Sequence, residues 1–189
     1  GTVYGYATDE TPTCIPLPLE LSHRICSILD KCRKNGTIMG IRSDGKAQVS
    51  VEYDEGIPVR VAAVIVSVQH DRDKNLDSLK AEIIEKVLEP AFIHFPLDAH
   101  TRILINPSGR FVEGGPGADT GLTGRKIMVD TYRGLALHGG GAFSGKDATK
   151  GDRSGAYMAR MIAKNIVAAG LAKRCGVSIS YAIGKAEPV

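Results

Sequence analysis

The stretch Gly139–Arg153, GGGAFSGKDATKGDR, constrains this chain more than any other. Three consecutive glycines suit neither a helix interior nor a strand centre. They let a backbone approach a ligand closely and turn its N–H groups inward. Lys146 and Lys150 supply positive charge for a phosphate. Asp147 and Asp152 can hold a metal or a cationic group. An apolar-periodic segment follows at once. A second glycine-rich stretch, Gly109–Lys126, lies just upstream, and 11 of the 22 glycines fall between Gly109 and Gly145. Apolar residues interleave both stretches, which sets them apart from a disordered linker. Together they point to a polyphosphate site.

Gly140–Lys146 matches the first seven positions of G-x-x-x-x-G-K-[ST], but Asp147 stands where the magnesium-binding Ser or Thr belongs. Leu135–His138 is a poor strand, and Ala148–Gly151 delays the helix that should begin at the lysine. A P-loop kinase or ATPase is therefore disfavoured, although a glycine loop with a lysine can still cradle phosphate. Lys146 and Lys150 read either as surface lysines or as partners of an anion at a helix start. Asp152 fits a helix N-cap as well as a metal ligand. Arg110-Phe111 suits a stacked base with a phosphate near it. Asp119 sits among glycines, where turn aspartates are also common. Arg125-Lys126 closes that stretch. Asp44 and Lys46 of RSDGK fit an ordinary Asp-Gly turn equally well. Of the five histidines none has metal spacing, and only His138, beside the glycine run, stands out.

The remaining periodicities predict an α+β chain. Pro16–Asn35 carries Leu17, Leu21, Ile25, Ile28, Leu29 and Cys32 at helical spacing, ended by Asn35-Gly36. RSDGK is a turn, Val49–Tyr53 a half-buried strand, and Asp54-Glu55-Gly56 a hairpin turn into Val61–Val68, a strand for a sheet centre. Asn75–Leu88 places Leu76, Leu79, Ile83, Ile84 and Val87 on one helical face. Arg102–Asn106 is a short strand. This order is most of a split β-α-β layer. Lys126–Thr131 reads as a strand, and Asp152–Ala172 as a helix with Tyr157, Met158, Met161, Ile162, Ile166 and Leu171 on its apolar side. Val177–Ala182 alternates as a strand. A domain boundary falls close to Val112.

Hydrophobic content of 43% against 24% charged residues is that of a globular chain, and a net charge of +3 gives no global argument for nucleic acid. Cys14, Cys26, Cys32 and Cys175 have no C-x-x-C pairing and suit reduced, buried thiols in a cytoplasmic protein. No signal peptide or long apolar span is evident. The first residue is not Met, and a strand-like segment runs into Val189, as in a piece of a longer chain.

GGGAFSGKDATKGDRSGAY, GRFVEGGPGADTGLTGRK and SYAIGKAEP resemble the S-adenosylmethionine synthetase (methionine adenosyltransferase) family. YGYATDET, RKNGT, RSDGKAQV and INPSGRF match it in the same order, so the resemblance covers nearly the whole chain. It implies repeated β-α-β-β-α-β domains with interleaved termini and sheets packed under helices. Residues 1–112 would be the central domain and 113–189 the first half of the C-terminal one. It also implies that ATP and L-methionine combine to give S-adenosylmethionine, with the tripolyphosphate hydrolysed to pyrophosphate and phosphate, assisted by two Mg²⁺ and one K⁺.

The resemblance further implies residue roles. Asp44 and Lys46 contact ATP. Arg110 and Phe111 bind adenosine, with Phe111 stacked on the base. Asp119 meets both adenosine and the methionine amine. Arg125 and Lys126 bind the triphosphate, and Ala142 and Lys146 line the nucleotide site. Lys150 reaches the methionine and phosphate region, Asp152 is metal-linked, and Ile183 packs on methionine. Lys46, Arg125, Lys146 and Lys150 are the candidate catalytic cations. Active sites shared between two subunits of a homodimer, often a dimer of dimers, are implied as well. The family's HPDK histidine, its K⁺-binding glutamate and several methionine and metal ligands belong to a segment ahead of Gly1, so the 189 residues alone are expected to be inactive. A non-catalytic partner subunit or another ATP-binding module is the alternative. Gly151, Gly155 and Glu113 depart from the usual valine, alanine and aliphatic residue.

Overall fold

Leu17, Leu21, Ile25, Leu29 and Cys32 recur at helical spacing, and the first helix, α1 (Leu17–Lys34), buries that set. The computed structural model describes residues 1–189. It is α+β, and its contacts gather into two units, one of Leu17–Thr120 and one of Gly1–Pro16 with Gly121–Val189.

In the Leu17–Thr120 unit, α1 packs over a three-stranded sheet ordered β2 (Ile41–Asp54), β3 (Ile57–His70), β4 (Arg102–Ile105). β3 pairs antiparallel with β2 and parallel with β4, so it is the central strand. Val61, Val64, Val66 and Val68 are accordingly buried. The parallel return to β4 requires a crossover, supplied by α2 (Leu76–Ile83), a π turn (Ile84–Leu88) and α3 (Glu89–Ala91). Asn75 caps α2, its Oδ1 accepting from the N–H groups of Asp77 at 3.0 Å and Ser78 at 2.9 Å. The π turn adds a residue and rotates the apolar face. Val87 and Leu88 are buried, whereas Ile84, expected on the buried face, is 39% exposed.

RSDGK is not a turn, contrary to the sequence expectation. It lies inside β2, where pairing jumps from Ile41↔His70 to Gly45↔Val68. Arg42–Asp44 therefore form a bulge that lifts Asp44 out of the ladder. The long partner β3 lets the strand run through a dipeptide that would otherwise turn.

In the other unit, β1 (Thr2–Thr8) pairs antiparallel with β5 (Arg174–Ser180), in register from Thr2↔Ser180 to Thr8↔Arg174. β1 has no counterpart among the sequence expectations. α4 (Gly151–Ala168) lies on β1 and buries Ala156, Ala159, Ala163 and Val167. This reverses the expected face. Tyr157, Met158, Met161, Ile162 and Leu171 are exposed in this chain. The cause is distance. A Cβ on Gly5 would sit 2.1 Å from the backbone carbonyl carbon of Ala159, so only small residues fit between this helix and this strand. Gly155 belongs to the same contact, since a Cβ there would lie 3.0 Å from Cγ2 of Val3.

Lys126–Thr131, expected as a strand, is a run of turns. Val129 and Asp130 N–H both bond back to Lys126 C=O, at 2.9 and 3.1 Å, so the backbone is satisfied locally rather than by a sheet edge. β5 also starts before the expected Val177. Cys14 and Cys32 are buried, Cys175 is half-buried and Cys26 is exposed, so the expectation of four buried thiols fails at Cys26 and is met only in part at Cys175. No helix is long and apolar enough to cross a membrane.

Gly5→Ala tests the packing directly. Overfilling a tight contact costs about 1–3 kcal/mol and occasionally more. The variant is expected to unfold at clearly lower urea concentration than the parent, whereas Gly176→Ala, whose Cβ meets nothing within 4 Å on β5, should lose far less.

Candidate functional site

The glycine-rich stretch folds back on the start of α4. Gly141 lies so close to Asp152 that a Cβ would sit 2.5 Å from the carboxyl carbon. Lys146 then reaches Asp152, Nζ to Oδ2 at 2.5 Å. The Tyr181 hydroxyl donates to the other carboxylate oxygen at 2.8 Å. Asp152 is therefore not the N-cap. Lys150 occupies that position without a side-chain cap bond, and Asp152 lies in the first helical turn. There it meets the positive end of the helix as well as Lys146. Tyr181, just past β5, lies in the SYAIGKAEP segment, but the sequence assigns it no role of its own.

Asp147, the residue that breaks the P-loop pattern, is committed to its own turn. Its Oδ1 accepts from the Thr149 N–H at 2.9 Å and from the Thr149 hydroxyl. Those bonds hold its carboxyl below the usual carboxylate range. His138 pins the glycines, its Nδ1 accepting the Gly140 N–H at 2.7 Å. Its ring stacks on Phe143 at 5.8 Å between centroids, Phe143 meets Tyr157 edge-on at 5.6 Å, and Arg153 lies over the Tyr157 ring at 5.4 Å. The Arg153 guanidinium also donates to the Lys146 carbonyl. The aromatic row thus runs from the glycines at His138 to α4 at Tyr157, where Arg153 also fastens the loop to the helix.

Other predicted residues of this unit are less engaged. Ala142 is half-buried, and its Cβ would lie 3.2 Å from a Cβ at Gly124, which brings the residue before Arg125 to the glycine loop. Arg125, Lys126 and Lys150 are exposed, and Ile183 is 99% exposed.

The Leu17–Thr120 unit gathers a second set. Asp44, lifted by the bulge, accepts the Gly115 N–H on Oδ2 at 2.6 Å. One residue earlier the chain passes close to the same side chain, since a Cβ on Gly114 would lie 2.9 Å from the same oxygen. Arg110 donates to the Arg72 carbonyl at 2.7 Å. Phe111 is half-buried and bonds to His70, a residue that the sequence reading passed over. Lys46 and Asp119 are exposed, and Asp119 N–H bonds to Gly115 C=O at 3.0 Å. Nothing in the structure explains Glu113, which is also exposed.

No three or more His, Cys, Asp or Glu side chains cluster as a metal site. Magnesium commonly takes only one or two protein carboxylates, with phosphate oxygens and water completing its shell. A single carboxylate such as Asp152 is compatible with that pattern. No residue set here suggests a ligand for potassium.

The sequence matches the family model for the S-adenosylmethionine synthetase central domain over residues 1–111 and the model for its C-terminal domain over 113–189. It is 60% identical over 189 residues to the S-adenosylmethionine synthase of Desulforudis audaxviator, covering all of this chain and 48% of that protein. It is 54% identical over 191 residues to the S-adenosylmethionine synthase of Nocardioides sp., again covering all of this chain and 48% of the relative. The chain spans about half the length of these curated relatives.

The pairing of Lys146 with Asp152 gives a pH signature. The hydrogen bond from Lys146, then that from Tyr181, holds the Asp152 carboxyl below the usual range. A depressed carboxylate pKa stabilises the fold above the unfolded value of about 3.9, and that gain is lost as pH falls through the folded pKa. The side chain is 37% exposed, so solvent screening limits the gain to about 1 kcal/mol or less. The urea midpoints of the parent and Asp152→Asn are expected to differ at pH 7 and to draw together as pH falls below about 3.9. A gap that persists unchanged at pH 3 would contradict this account.

Proposed function

The chain belongs to the S-adenosylmethionine synthetase family, and on that premise we propose that it is part of an enzyme making S-adenosylmethionine from ATP and L-methionine. The observation that carries the reading is the Lys146–Asp152 pair held under the glycine loop at the start of α4. A cation and a carboxylate that neutralise each other at a helix N-terminus suit a site that receives a polyphosphate with its counter-ion.

The methionine sulfur attacks the 5′-carbon of ATP. A C–S bond forms, the C–O bond to the triphosphate breaks, and its electron pair leaves with the oxygen. The sulfur lone pair needs no protein base. The barrier lies in charge building on the leaving chain, which fixed cations stabilise. Lys46, Arg125, Lys126 and Lys146 would bind the triphosphate, and Lys150 would reach both phosphate and methionine. Phe111 would stack on adenine beside Arg110, and Asp44 would steady the adjoining glycine loop near the nucleotide. Ala142 would line the nucleotide site, Asp119 would face adenosine and the methionine amine, and Ile183 would pack on methionine. Two Mg²⁺ and one K⁺ would neutralise phosphate charge, with Asp152 the one carboxylate of this chain assigned to Mg²⁺. Water then cleaves the tripolyphosphate to pyrophosphate and phosphate. Residues 1–112 and 113–189 would be the central domain and part of the C-terminal one. The enzyme would be a homodimer or dimer of dimers with shared sites, working in the cytoplasm.

In the family-length enzyme carrying this segment, Lys146→Ala and Arg125→Ala should each lower turnover by orders of magnitude with the fold intact, read as S-adenosylmethionine by mass and as phosphate release. Activity within about twofold of the parent would refute the assigned roles. The 189 residues alone should give no product in the same assay.

A further inference from the structure

Phe111 is held by both of its backbone polar groups, and one residue does the holding. The His70 N–H donates to the Phe111 carbonyl at 2.9 Å. In the other direction, the Phe111 N–H is accepted by the ring Nε2 of His70 at 3.0 Å. The ring's Nδ1 lies 2.8 Å from the Asp71 carbonyl oxygen. A nitrogen that accepts from an amide carries no proton, and a nitrogen facing a carbonyl must carry one. The contacts therefore fix a neutral ring protonated on Nδ1. His70 is 1% exposed, so water cannot substitute for either bond.

The flanking residues extend this clamp. The Gln69 side chain donates to the Val112 carbonyl at 3.1 Å, and Arg110 donates to the Arg72 carbonyl at 2.7 Å. Below them, Asn106 uses its side chain as a stretch of strand. Its Oδ1 accepts from Val68 N–H at 2.8 Å, and its Nδ2 donates to Val68 C=O at 3.0 Å. Asn106 takes a left-handed conformation, φ 42°, which ends the β4 ladder and frees the chain to approach the end of β3 by side-chain bonds.

We propose that His70 is a positioning residue for the nucleobase: its imidazole, locked in one tautomer, sets the backbone of Phe111 and so the plane on which adenine stacks. This rests on the reading that Phe111 stacks on the base of ATP. A base gains most from a ring that is ordered before it arrives, because less freedom is lost on binding. A histidine that served packing alone would tolerate either tautomer; here only one satisfies both neighbours.

The test uses the family-length enzyme with His70→Leu, His70→Gln, Phe111→Ala and the double variant His70→Leu/Phe111→Ala. His70→Leu removes the acceptor, and His70→Gln offers an amide oxygen close to the place of Nε2. Losing one buried acceptor should raise KM for ATP about 5- to 20-fold. KM for methionine and the inhibition constant of tripolyphosphate, which has no base, should stay within about twofold of the parent's. His70→Gln should recover most of the loss, and the double variant should be no worse than Phe111→Ala. If Phe111→Ala leaves KM for ATP unchanged, the stacking reading falls and the proposal with it. If Phe111→Ala raises it and His70→Leu does not, the stacking reading stands and His70 has no such role. Equal loss of ATP and tripolyphosphate affinity in His70→Leu would also overturn the proposal. Should His70→Leu not fold, the ¹⁵N-edited histidine spectrum of the parent decides. A proton on Nδ1 and a bare Nε2 support the clamp; the other tautomer or an imidazolium overturns it.

Discussion

The contact between α4 and β1 governs the unit that carries the glycine loop. The helix backbone at Ala159 comes so near Gly5 that no side chain fits between them. One face of β1 is occupied by this helix, and its edge is paired with β5. Arg160 reinforces the contact from one helical turn, donating to the carbonyls of Tyr6 at 2.6 Å, Thr13 at 2.7 Å and Cys14 at 2.9 Å. Three backbone carbonyls bound by one guanidinium tie the chain after β1 to the helix. The helix start, and with it Asp152, is positioned by this packing. The carboxylate's location is therefore a consequence of small residues further along the same face of the helix.

The same logic makes the charge pattern intelligible. Asp152 sits where a helix favours an anion. Lys146 is brought to it by a loop whose other acid, Asp147, is occupied with Thr149. The two aspartates thus have separate duties: one shapes the loop, and one meets its lysine. Under the proposed function, an incoming phosphate would compete with Asp152 for Lys146, while a cation would compete with Lys146 for Asp152. Either ligand alone leaves a charge without its partner; the two together exchange one neutral arrangement for another. A phosphate delivered with its counter-ion would then be the favoured guest on electrostatic grounds.

Long-range order in the Leu17–Thr120 unit was readable because packing there follows hydrophobicity. α1, β3 and the capped α2 each bury the residues that periodicity selects. The other unit was read less well because its packing follows size. Tyr157, Met158, Met161 and Ile162 outrank alanine in hydrophobicity, yet Ala156, Ala159 and Ala163 are the buried set. β1 escaped notice for a related reason: its Gly5 reads as a strand weakener until the helix above it is known. The sequence marks Asp44 as a polar residue of interest, but the bulge that lifts it depends on the register with β3, which no local pattern encodes. His70 belongs to no motif, and Tyr181, although inside SYAIGKAEP, carries no role that the sequence assigns. Each acts through a partner far along the chain, Phe111 in one case and Asp152 in the other.

The glycine run itself changes character in this light. Glycine-rich loops invite an explanation from mobility, but the positions here divide by geometry. Gly140 and Gly145 take φ of 88° and 80°, which other residues adopt only with strain. Gly139 and Gly141 are different: a Cβ would lie 2.1 Å from the Thr2 carbonyl oxygen at the first and 2.5 Å from the Asp152 carboxyl carbon at the second. The first pair bends the chain, and the second lets it touch β1 and the helix start. A loop meant only to move would need neither. Alternation of bending and touching glycines makes a fixed cradle, and the His138–Phe143–Tyr157 row keeps it against the helix. Preorganised charge is what a leaving polyphosphate requires, since groups already in place need no reorganisation as negative charge develops.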